Sequence, residues 1–203
     1  MNIELPFITV AGHYGGDQYK YPRARMRLGG CSTVCACHAA TLIALNDPER
    51  NALSPLESLT VTRKDFNAFG VTMFKYVYPG FRGMPETAIF ERSFSEYADS
   101  VGCRVTYSSL QGSASYEEAR RFVEEALGQG KYIQFLLLKH KNKLFDDIEW
   151  HWFTITGIND DTIVFSSFGE RCEAQLSLPR CQGGRGLQKR SRSNFGLQSL
   201  SLL

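Results

Sequence analysis

Nowhere does this chain of 203 residues run for the roughly 18 apolar positions a membrane-spanning helix needs. The opening MNIELPFITV has no basic flank and is too short and polar for a secretory leader, so the expected compartment is the cytosol. Charge of one sign is also missing, with 23 basic residues against 21 acidic ones. Four of the basic residues (Arg185, Lys189, Arg190, Arg192) lie in 181–203, which holds no acid and leaves 1–180 near −2. Such a body has no electrostatic footprint for nucleic acid, and four charges in a tail are thin support for RNA or DNA. No internal repeat is visible. Without a leader, the six cysteines are expected to be reduced, with Cys35, Cys37, Cys103 and Cys172 as small core residues.

What the chain does have is LGGCSTVCACHAATLIAL at 28–45. Two glycines break the chain, a cysteine follows, and an apolar run of helical length begins. A cysteine in the first residues of a helix faces unpaired backbone N–H groups and the positive end of the helix dipole. Both favour the thiolate, which is the nucleophilic form. Gly29 and Gly30 leave the backbone bare beside the sulfur. The run from Val34 to Leu45 is apolar on nearly every face, so the helix belongs in the middle of a domain. It is predicted over about 31–46, with Asp47-Pro48 ending it.

Residues 1–30 read as irregular, with a short strand possible at 3–10. Thr62 can cap a helix over 63–78, where Phe66, Phe69, Met73 and Val77 recur at helical spacing. Pro85 opens another, carrying Phe90, Phe94 and Tyr97 to a stop at Gly102. From 103 the pattern changes to strands, at 103–110, 132–139, 149–158, 162–168 and 172–178. A helix with a capping box at Ser115 and Glu118 interrupts them. The tight turn at 157–161 makes the strands on either side antiparallel. Helices first and mostly antiparallel sheet after is an α+β chain, with two lobes and a cleft between them. The expected domain covers 1–180, helical over about 10–101 and sheet over about 103–180. The basic tail, 181–203, is expected to be poorly ordered.

A nucleophilic thiolate needs a base, and the chain has four histidines. His38 lies near two turns beyond Cys31 on the same helix, too far to pair with its sulfur, and reads as a polar residue satisfied within the packing. His140 sits in the basic stretch KHKNK and reads as solvated. His13, in a glycine-rich loop, could line a cleft. His151 stands on a strand between Trp150 and Trp152, the only tryptophans, and alternation puts it on one face with Phe153 and Ile155. There an imidazole is shielded and held in one rotamer, as a general base requires. Cys31, Cys35 and His38 share a helix face and could in principle hold a metal, but no distant second pair completes a zinc set and the spacing departs from iron–sulfur patterns.

The order GGCSTVCACHAATLIAL, then WHWFTITGI, then VFSSFGER resembles papain-like cysteine peptidases, closest to the bacterial C39-like branch. The likeness implies a central helix opened by nucleophilic Cys31, a strand bearing His151, and a residue on the next strand that orients the ring. In FSSFG (165–169) Ser166 stands where the family has asparagine. Ser166 is favoured by position for orienting His151, with Asp160 or Asp161 as alternatives. Arg25 occupies the family's oxyanion glutamine position, which makes Gln18, with the Cys31 backbone N–H, the candidate oxyanion donor. The implied activity is hydrolysis of a peptide or isopeptide bond in a peptide or protein substrate, with no cofactor. The alternatives are acyl or aminoacyl transfer by the same dyad, or a papain-fold peptide-binding module without turnover.

Overall fold

Every residue from Cys31 to Ala44 is buried, so the apolar run does become the helix around which the rest packs. The computed structural model describes residues 2–80, 83–112, 114–138 and 150–176, and the backbone of 196–201. The N-terminal stretch carries three short strands, β1 (Asn2–Glu4), β2 (Thr9–Val10) and β3 (His13–Tyr14), then a single 3-10 turn over Gln18–Lys20. A six-residue helix α1 (Ala24–Gly29) follows, and the central helix α2 (Cys31–Asn46) starts one residue later. Gly30 joins them. Its N–H closes α1 on the Met26 carbonyl at 2.8 Å, and a Cβ there would lie 2.3 Å from that same oxygen. Only glycine lets two helices meet so tightly.

Strand β4 (Thr60–Val61) is followed by α3 (Arg63–Met73), capped by Thr62, and α4 (Thr87–Ser100). Next come β5 (Thr106–Gln111) and α5 (Tyr116–Gly128), whose capping box between Ser115 and Glu118 is formed as expected. Strands β6 (Ile133–Leu137), β7 (His151–Asn159), β8 (Thr162–Ser167), β9 (Glu170–Gln175) and β10 (Gly196–Ser201) complete the described residues. The main sheet has the order β5-β10-β6-β7-β8-β9, with β1 also paired to β7. Its pairings are all antiparallel. The chain is thus mixed α+β with an antiparallel sheet.

Strand alternation splits the core into two. Leu136, Leu138 and Trp152 face the cluster built on α2, α3 and α4. Phe135, Phe153, Ile155 and Phe165 face the cluster closed by Val123 and Leu127 of α5. One extra residue in β7, a bulge between Ile155 and Gly157, shifts its register against β8.

Three expectations differ from this structure. Helix α3 ends at Met73 rather than near 78, because the chain turns there through successive backbone bonds from Lys75, Tyr76 and Val77. Helix α1 had no sequence signal, being short, basic and glycine-ended. Within the tail expected to be poorly ordered, 196–201 form β10 between β5 and β6; GLQSLS has no clean apolar alternation to announce a strand. The rest of the tail and His140 lie outside the described residues. No described helix is long and apolar enough to cross a membrane.

Candidate active site

Cys31, the first residue of α2, is 8% exposed. Backbone N–H groups of Trp152, Ser32 and Cys31 itself are directed at its sulfur and favour the thiolate, but burial outweighs them and holds the thiol above its usual value. The resting sulfur is therefore protonated at neutral pH, not the thiolate that its place on the helix alone suggests.

His151 opens β7 directly after Trp150, whose φ of 58° is left-handed. The Nε2 atom lies 3.1 Å from the Ser167 hydroxyl. Phe168 stacks on the ring at 4.2 Å between centroids, and Tyr19 stacks on Phe168 at 5.2 Å. Burial lowers the His151 pKa to about 4, so the imidazole is neutral at pH 7. In the tautomer that carries its proton on Nε2 and donates it to Ser167, Nδ1 is the basic nitrogen, and it has no partner among the described residues. No hydrogen bond joins it to Cys31.

Ser166 is not the hydroxyl on this ring. Its Oγ donates to the Tyr14 carbonyl at 2.7 Å. The bulge is the reason. In an unbulged hairpin Ser166 would stand opposite Ile155 and share the face of His151; one extra residue in β7 instead sets Ser166 opposite Thr154 and turns Ser167 to the histidine. Asp160 and Asp161 are at the far end of the hairpin, roughly 30 Å along the strand, where Asp161 accepts the Tyr116 hydroxyl.

Gln18 is 7% exposed, and its Nε2 donates to the Arg27 carbonyl at 3.0 Å. That amide nitrogen has a second N–H to offer. Arg25 has a different task, bonding the Pro79 and Gly80 carbonyls. The loop carrying Gln18 is held down at several points. The Gly16 N–H donates to His38 Nε2 at 2.8 Å, and Gly15 fits flat against Ser166 and His38 at a φ of +88°. A Cβ on Gly15 would lie 2.4 Å from Ser166 Oγ. Gly15→Ala is accordingly expected to cost about 2–4 kcal/mol through the left-handed backbone and the clash, measured as a lower urea midpoint; a change below about 0.5 kcal/mol would refute this packing.

Cys31, His151, Gln18, Ser166, Ser167 and Phe168 all line one crevice of about 10 Å³. That is room for roughly one water, less than a peptide group needs. A separate cleft of about 140 Å³ lies beside it, sharing Phe168 and lined by His13, Gly15, Asp17, Lys20 and Arg63. The metal reading finds no geometry: both His38 nitrogens have partners, Gly16 and Thr154, and no group of metal-ligating side chains forms among the described residues. Ser167 and Phe168, which meet the His151 ring, are not among the residues expected at the site from sequence, although both belong to the FSSFG stretch.

No family model matches the chain, and no curated protein matches it. Among solved structures, it is similar to the crystal structure of the Pseudomonas avirulence protein AvrPphB, at a TM-score of 0.41 and 8% identity over 89% of this chain and 95% of that one.

Proposed function

We propose that this chain is a cysteine peptidase-type hydrolase of papain-like arrangement, with Cys31 as nucleophile and His151 as general base. The observation that supports it is the shared crevice: a helix-tip cysteine, a neutral histidine held through Nε2, and a glutamine amide line one space. In the reaction, Nδ1 takes the thiol proton as sulfur attacks the carbonyl carbon. The Gln18 amide and the Cys31 backbone N–H bind the developing oxyanion. The proton on Nδ1 then passes to the leaving amine as the C–N bond breaks, and water attacks the thioester to release the acid and regenerate the thiol. The substrate class is a peptide or isopeptide bond. The narrow crevice and the raised thiol favour a second reading, a papain-fold binding module without turnover.

Acylation by p-nitrophenyl acetate, read by peptide mass mapping, separates the two. The hydrolase is expected to acetylate Cys31 ahead of every other cysteine and to lose the acetyl group to water with turnover. Labelling confined to Cys172, the most exposed cysteine among the described residues, would leave the binding module.

A further inference from the structure

His38 lies on α2 well below Cys31, 1% exposed and edge-on to Phe7 at 5.0 Å. Its polar contacts form a chain with one direction. Gly16 N–H can only donate, so Nε2 accepts it, at 2.8 Å. The neutral ring then has its proton on Nδ1, which donates to Thr154 Oγ1 at 3.1 Å. The Thr154 hydroxyl, having accepted, donates to Gln134 Oε1 at 2.8 Å. Gln134 and Thr154 face each other across β6 and β7, and Thr154 faces Ser166 across β7 and β8. A buried polar row thus crosses three strands under α2, and both its upper branches, His38 to Gly16 and Ser166 to Tyr14, end on the loop that carries Gln18.

We infer that His38 is a positioning residue: through Gly16 it fixes the 15–18 loop so that the Gln18 amide is set for the oxyanion formed at Cys31. This rests on the hydrolase reading for its catalytic consequence, though not for the tie itself. His38 cannot serve Cys31 as a base, since its one lone pair is spent on Gly16. An apolar residue in its place would strand the Gly16 N–H, a buried donor with no other acceptor among its described contacts, and the loop would rise to find water.

The test uses three variants of the full chain, with amide exchange over 15–18 and two Cys31 reagents as readouts. Iodoacetamide alkylates sulfur without forming an oxyanion; p-nitrophenyl acetate forms one. In His38→Phe, exchange over 15–18 is expected to rise and acetylation of Cys31 to fall, each about tenfold or more, while alkylation changes less than about twofold. His38→Gln, which can accept from Gly16 and donate to Thr154, is expected to restore both. Thr154→Val, which removes the support of Nδ1 together with the bond to Gln134 but leaves the His38–Gly16 bond itself, should give a smaller loosening of the same sign and carries the test if His38→Phe does not fold. Unchanged exchange, acetylation and alkylation falling together, or no restoration by His38→Gln would each overturn the positioning role. If wild-type Cys31 is not acetylated, the hydrolase reading fails by itself, and the exchange measurement alone decides whether His38 holds the loop.

Discussion

His151→Ala is expected to slow acetylation of Cys31 by p-nitrophenyl acetate about 10²–10⁴-fold at pH 7, the range for loss of a positioned general base. The expectation is large because the sulfur has little reactivity of its own. Burial keeps the thiol protonated, so attack needs a neighbour that removes the proton as the bond forms. His151 is suited to that task at neutral pH, since burial leaves it uncharged with a pKa lowered to about 4. Its ring is fixed by Ser167 and clamped by Phe168. Ser167→Ala should therefore act in the same direction but more weakly, by about tenfold, while Ser166→Ala should act through the 15–18 loop. Free imidazole, entering the space vacated in His151→Ala, is expected to recover part of the rate. A His151→Ala rate within about threefold of wild type would remove the histidine from the reaction.

The fold should also be acid-labile well above the carboxylate range. Unfolded, an imidazole takes a proton near pH 6.5. Folded, His38 is held to about 3 and His151 to about 4, both by burial. Between those values the unfolded chain binds up to two more protons than the folded one, so stability falls as the pH falls. Each histidine contributes about 1.4 kcal/mol per pH unit. From pH 7 to pH 4 the loss comes to about 6 kcal/mol, comparable with the whole stability of a typical domain at about 5–15 kcal/mol. Above pH 6.5 both states are neutral at these positions and the dependence should flatten. Urea midpoints at pH 7, 6, 5 and 4.5 check this, and His38→Gln should remove about half of the slope. A midpoint unchanged from pH 7 to 5 would mean that neither ring is buried in its neutral form.

What could be read from the sequence follows from how local each signal is. The helix from Cys31 to Asn46 was legible because two glycines, a helix-length apolar run and Asp47-Pro48 act within a few residues of it. The capping box at Ser115 and the tight turn after Asn159 were legible for the same reason. His151 stood out through its two tryptophans. The serine that meets it did not, because the choice between Ser166 and Ser167 is made by one extra residue near Thr156, and the only local mark of that bulge is Gly157, which reads equally well as part of the turn that follows. The thiol's state was equally non-local. Helix position argues for thiolate, and only the packing of Trp152 and its neighbours around the sulfur shows that burial wins. Strand β10 takes its place from the backbone edges of β5 and β6, which its own side-chain pattern does not encode.

The row Gln134–Thr154–Ser166 also bears on how the sheet finds its alignment. Next to it runs a row of rings, with Phe135 and Phe153 at 4.8 Å and Phe153 and Phe165 at 4.5 Å. Sliding β6 by one position against β7 would send its phenylalanine toward the helix and its glutamine into the aliphatic layer under α5. The Gln134 amide would be left without a partner in an apolar layer and the Thr154 hydroxyl without its acceptor, at about 1–3 kcal/mol for each stranded group. Mispaired sheets are thereby penalised at the centre of the fold. The same side chains that hold the site loop act, during folding, as a key that only the correct alignment can turn.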